Sequence, residues 1–179
     1  LLAQEEDSSW QGGQCSGTMY SGDHAHYGFL EQAFGLFGHA NALQRDLCPS
    51  ATRFEGEVIA MTLDLMHADA ARSAGHDPVG MMTGGGTASI LQAMLAYRDH
   101  AAKYRSIDRP NVVRPSTAHP AFAKAAHLFG MELRTIPVDP QTTLVDPERL
   151  AEEIDANTVA IIGSAGNYPY GTIDPIADL

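Results

Sequence analysis

Residues 111–138 read NVVRPSTAHPAFAKAAHLFGMELRTIPV, and this stretch decides the fold. Asn111 to Arg114, with Val112 and Val113 at its centre, reads as a strand. Pro120 to Phe129 places Phe122, Ala125, Ala126 and Phe129 on one helical face, with Gly130 to end it. Met131 to Val138 returns to an extended pattern through Leu133 and Ile136. Strand, helix and strand with near-continuous apolar strands imply a parallel α/β sheet covered by helices on both faces.

The alternation continues outward. Asp146 to Ile154 predicts a helix opened by an Asp-Pro pair, followed by the apolar strand Thr158 to Ile162. Upstream, Thr83-Gly84-Gly85-Gly86-Thr87-Ala88-Ser89 joins a glycine-rich turn to a helix with Ile90, Leu91, Met94, Leu95 and Ala101 on its apolar side. Its amides and helix dipole would seat a phosphate, with the Thr87 and Ser89 hydroxyls as extra donors. A flexible turn with an N-cap is the plainer reading of a lone glycine triplet. Phe54 to Ala74 predicts a helix buried through Val58, Ile59, Thr62, Leu63, Leu65 and Met66, and Tyr27 to Gly38 another. Residues 39–53 read as a connection and 1–25 as irregular. The domain reading is an N-terminal segment, 1–53, and the first part of a large domain, 54–179.

Ligands of open parallel sheets sit beyond the carboxyl ends of the strands. Two strands lead into polar loops there, Pro115 to Pro120 and Gly163 to Gly171, on the edge where the glycine turn also opens. Three polar loops converging on one edge are hard to explain by stability alone.

The composition limits the alternatives. The 179 residues carry 11 basic and 22 acidic side chains, a formal charge of −11, which argues against a nucleic-acid groove or an anionic membrane. No apolar run approaches a membrane span and no signal peptide is visible. The expected location is cytoplasmic. Two cysteines do not make a disulfide scaffold, and His24 and His26 lack partners at ligand spacing, so no metal site is expected.

In the order Gly84 to Ser89, Ser116 to Ala126 and Gly163 to Asp174, these segments resemble the sphingosine-1-phosphate lyases and their bacterial relatives among the group II decarboxylase-like enzymes. Ser16 to Tyr20, Asn41 to Ser50 and Arg53 to Val58 agree with it. The resemblance implies an aspartate aminotransferase-like large domain (pyridoxal-phosphate fold type I) and pyridoxal 5'-phosphate as cofactor. It assigns Gly85, Gly86 and Thr87 to the cofactor phosphate and His119 to stacking on the ring. Tyr20 would reach the substrate pocket across a homodimer interface. Tyr168 and Tyr170 would border the substrate, one of them facing inward, with Asn41 and Gln44 near the mouth. Ala88 replaces the acidic residue usual in the phosphate loop, and Gln44 replaces a histidine; it can donate a hydrogen bond but cannot titrate.

The implied reaction is retro-aldol cleavage of a phosphorylated long-chain amino alcohol to an aldehyde and phosphoethanolamine. An amino-acid decarboxylase of the same superfamily is the alternative enzyme, and a non-catalytic phosphate-binding module the alternative of another class. The only lysines, Lys103 and Lys124, do not match the family's cofactor-anchoring position, which is expected beyond Leu179 together with the aspartate that pairs with the cofactor ring. Asp174 reads instead as a helix N-cap before Pro175. The chain is therefore expected to be an excerpt, inactive and poorly soluble alone.

Overall fold

The computed structural model describes residues 24–179, which divide into two compact units meeting in sequence between Met82 and Thr83. The first unit is helical: α1 (His24–Phe37), α2 (Pro49–Leu65) and α3 (Ala68–Ser73). Proline at the first position of α2, where its missing N–H costs nothing, starts the helix five residues before the expected Phe54. The expected single helix to Ala74 is broken after Leu65 by His67, which takes a left-handed φ of 56°. An edge-to-face contact of Phe37 on Phe54, 5.6 Å between centroids, joins α1 to α2.

The buried stripe expected on α2 is not observed. Ile59 and Leu63 are half-buried, whereas Val58, Thr62, Leu65 and Met66 are exposed, Leu65 by 76%. Periodicity marks the face that an element can bury, but burial needs a partner. Among the described residues of this unit only Val79 to Met82 lines the groove along Val58, Ile59, Thr62, Leu63 and Met66.

The second unit begins with α4 (Gly86–Arg105) and continues through β1 (Asn111–Pro115), α5 (Pro120–Phe129), β2 (Glu132–Ile136), α6 (Pro147–Ala151) and β3 (Thr158–Ile161). The strands form a parallel sheet in the order β2-β1-β3, with Asn111 opposite Glu132 on one side and Thr158 on the other. Alternation along central β1 builds two cores. Val112 packs with Met94, Ala118, Ala125, Ala126, Met131 and Ile162, while Val113 packs with Ile136, Val145 and Leu150. The expected parallel α/β layering is thus present.

Local chemistry explains the boundaries. α5 spans the predicted Pro120 to Phe129, ended by Gly130 at φ 65°. Asp146 caps α6, accepting from the Glu148 N–H at 2.9 Å. The predicted helix after Asp174 is replaced by a turn, closed by the Leu179 N–H on the Pro175 carbonyl. The Asp174 side chain is not capping it, because it bonds backward to Ser164.

Candidate active site

The glycine turn opens the site. Gly85 is the N-cap of α4 at φ 133° and ψ 171°, a conformation essentially restricted to glycine. The first bond of the helix is the Ser89 N–H to the Gly85 carbonyl at 3.0 Å, leaving the amides of Gly86, Thr87 and Ala88 without an acceptor among the described residues. A Cβ built on Gly84, Gly85 or Gly86 meets nothing within 4 Å among the described residues.

The Ser89 hydroxyl is not the spare donor that was expected. It lies 2.6 Å from the Thr83 hydroxyl and within hydrogen-bond distance of the Gly85 carbonyl, which ties the turn to the helix it precedes. Thr87 remains exposed at the helix start, its hydroxyl without a partner among the described residues. The role of Thr83 as the other half of this clasp was not anticipated; its six-residue separation from Ser89 was the only sequence signal.

His119 ends the loop after β1 and caps α5. Its Nδ1 accepts from the Ala121 N–H at 3.1 Å, which places the proton of the neutral ring on Nε2. The loop is held by Arg114, whose Nη1 donates to the Ala118 carbonyl at 3.1 Å and whose Nε reaches the Thr135 hydroxyl at 3.4 Å. Burial holds the Arg114 guanidinium below the usual arginine pKa.

The loop after β3 meets His119. The Tyr168 ring lies 4.8 Å from the imidazole at an interplanar angle of 81°. His119 itself is half-buried. Tyr170, in contrast, is 64% exposed. Of the two tyrosines, Tyr168 is therefore the one that the structure brings onto His119. The first turn of α4 and the start of the loop after β3 share one groove, through Ser89, Ile90, Phe122 and Gly163.

The remaining candidates are placed elsewhere or lie outside the description. Asn41 and Gln44 belong to the first unit. The Asn41 side chain accepts from the Leu43 N–H at 3.0 Å, an Asx turn, and Gln44 is exposed in the same connection. Tyr20 lies outside the described residues. Lys103 and Lys124 are exposed on α4 and α5, and neither belongs to the three loops.

Against this geometry, residues 16–179 match the family described as the pyridoxal-dependent decarboxylase conserved domain. The chain belongs to the pyridoxal-dependent decarboxylase family. It is 40% identical to a sphingosine-1-phosphate lyase of Drosophila melanogaster over 168 residues, covering 94% of this chain and 30% of that one. A sphingosine-1-phosphate lyase of Arabidopsis thaliana is 39% identical, with 98% and 32% covered. Among solved structures, a Burkholderia pseudomallei sphingosine-1-phosphate lyase superposes with a TM-score of 0.91 at 54% identity, covering 99% of this chain and 41% of that one. A Lactobacillus brevis glutamate decarboxylase shares the fold, with a TM-score of 0.65 at 24% identity over 78% of this chain and 32% of that one. The chain thus spans about a third of the length of the curated relatives that it matches, and its architecture is the pyridoxal-phosphate fold type I, in part.

The residues fit one end and one face of the cofactor that this decarboxylase family uses. Three unbonded amides at an exposed helix N-terminus suit a phosphate, and a partly exposed histidine suits an aromatic ring. The amine and carboxylate of the family's chemistry are not among the side chains of these loops. Asp174 is spent on the loop itself, its Oδ2 accepting from the Ser164 N–H at 2.8 Å.

Proposed function

We propose that the protein to which this chain belongs is a pyridoxal-phosphate-dependent carbon–carbon lyase. It cleaves a phosphorylated long-chain amino alcohol to an aldehyde and phosphoethanolamine. The observations that carry this reading are the unbonded amides at the start of α4 and the His119–Tyr168 pair, in a chain 54% identical to a bacterial lyase over 99% of its length.

In this reading the Gly86 and Thr87 amides and the Thr87 hydroxyl hold the cofactor phosphate, and Gly85 supplies the turn that aims them. The imidazole of His119 would stack on the cofactor ring. Its Nε2–H, which carries the proton of the neutral ring because Nδ1 accepts from Ala121, is the pole that would donate to an oxygen on the substrate side. Tyr168 braces that ring, and the likeness to the lyases assigns substrate contacts to Tyr170, Tyr20, Asn41 and Gln44. When bound, pyridoxal phosphate supplies the electron sink that accepts the pair left by the breaking carbon–carbon bond. The substrate wall is completed by a second copy in a twofold homodimer, and the protein works in the cytoplasm.

The test uses the full-length, cofactor-loaded protein. Release of a long-chain aldehyde with phosphoethanolamine from a sphingoid-base phosphate supports the reading. Carbon dioxide from amino acids without aldehyde makes the protein a decarboxylase, and phosphate binding with neither product makes it a binding module. Thr87→Ala is expected to weaken cofactor affinity by about tenfold, the worth of one charge-assisted hydrogen bond.

A further inference from the structure

We propose that Asn167 is a positioning residue that folds the loop after β3 so that Tyr168 is held against the His119 imidazole. The inference rests on the lyase reading above for its effect on turnover, though not for the geometry. Tyr168 is half exposed and sits in a loop without regular structure, so something must hold its ring at 4.8 Å from a histidine on another loop. An unsupported phenol in such a loop would sample several rotamers and lose the contact.

The support is concentrated at Asn167, which is only 3% exposed beneath two exposed tyrosines. Its side-chain Oδ1 accepts from the Tyr170 N–H at 3.0 Å, and its carbonyl accepts from the Gly171 N–H at 2.9 Å. Its own N–H donates to the Thr172 carbonyl at 2.7 Å. Three polar groups of one residue therefore bracket the backbone on the far side of Tyr168.

The rest of the loop is anchored at its base. The Asp174 N–H donates to the Ser164 carbonyl at 2.9 Å, and the Ser164 N–H returns the bond to the Asp174 carboxylate. Thr172 is tied to the neighbouring loop through the Thr143 hydroxyl at 2.6 Å. With both ends fixed, the conformation at Tyr168 depends on the bracket in the middle. The Asn167 Nδ2 is buried with no partner among the described residues, so only the oxygen of the side chain serves the loop.

That asymmetry supplies the test. Asn167→Asp keeps the accepting oxygen, whereas Asn167→Ala removes it. In the full-length protein without cofactor, the 13C-labelled imidazole signal of His119 reports the Tyr168 ring current. Asn167→Ala is expected to move it to the position seen in Tyr168→Ala, and Asn167→Asp to leave it near the wild-type position, with His127 as an unmoved reference. In the loaded enzyme, Asn167→Ala should lower kcat by about tenfold or more, with KM changed by less than about twofold, as expected for a misplaced group near the reacting atoms. In a Tyr168→Ala background the same substitution should cost less than about twofold, because the two act as one unit. A His119 signal that stays put in folded Asn167→Ala overturns the proposal, and so do additive effects of the two alanine substitutions. Absence of lyase activity in the wild type would sink the functional reading, while the cofactor-free signal would still decide this one.

Discussion

His119 caps α5 with one nitrogen of its ring, and the proposed cofactor role would use the rest of it. Nδ1 closes the first turn of α5, and Nε2 has no hydrogen-bond partner among the described residues. A sequence reading treats helix-start residue and cofactor partner as alternatives, whereas the geometry makes them compatible. The two duties can be separated by substitution. Asparagine is a good N-cap, so His119→Asn should keep stability within a few tenths of a kcal/mol, while His119→Ala should lose about 1 kcal/mol. Both should lose the spectroscopic signature of bound cofactor. Urea unfolding paired with cofactor titration checks this, and an Asn variant as unstable as the Ala variant would refute the capping role. The choice between Tyr168 and Tyr170 also belongs to this scale. They stand two residues apart in an irregular loop, where no periodicity assigns a side to either ring.

Element boundaries followed from local chemistry wherever a cap or a terminator spelled them out. Pro120 and Gly130 frame α5 because proline fits the first turn and glycine accepts the left-handed exit. α2 and α3 were less legible: an amphipathic pattern runs through Met66 without pause, and the break depends on His67 adopting a backbone conformation that histidine seldom takes. At the start of α4, the glycine is required by the backbone more than by space. Nothing lies within 4 Å of a Cβ on Gly85, yet its dihedral angles exclude other residues. Gly85→Ala should therefore destabilise by about 1–3 kcal/mol. It should also weaken phosphate binding, since the amides of Gly86 and Thr87 turn with it. Gly84→Ala is the control: its φ is not in the positive range and its surroundings are equally open. Thermal unfolding and phosphate titration should show Gly85→Ala impaired and Gly84→Ala close to wild type.

At the scale of the molecule, the sheet is stapled at the end opposite the site. Asn111 is fully buried and donates to Asp155 at 2.7 Å, the Thr158 hydroxyl donates to Asn111 at 2.8 Å, and Arg134 pairs with Asp155 at 2.9 Å. The Asn111 amide foremost, then the Asn157 N–H and Arg134, hold the Asp155 carboxyl below its ordinary pKa. A carboxylate with a depressed folded pKa contributes stability that is present at neutral pH. That contribution is lost as pH falls below about 4 and through the folded value. Asp155→Asn should thus melt below the wild type at pH 7, with the gap closing toward pH 3; parallel melting curves across that range would contradict the assignment. The same contrast describes what could be read in advance. Strand and helix identities, their parallel arrangement and the polar edge were determined by the sequence itself, since hydrophobic period, caps and glycine punctuation act over a few residues. Tertiary structure alone decided that α2 lacks a buried face within its unit, that Ser89 is engaged by Thr83, that Asp174 turns back on Ser164, and that Tyr168 meets His119. Each of these depends on which partner arrives from elsewhere in the chain, and burial and hydrogen bonding between distant residues leave no local period to read.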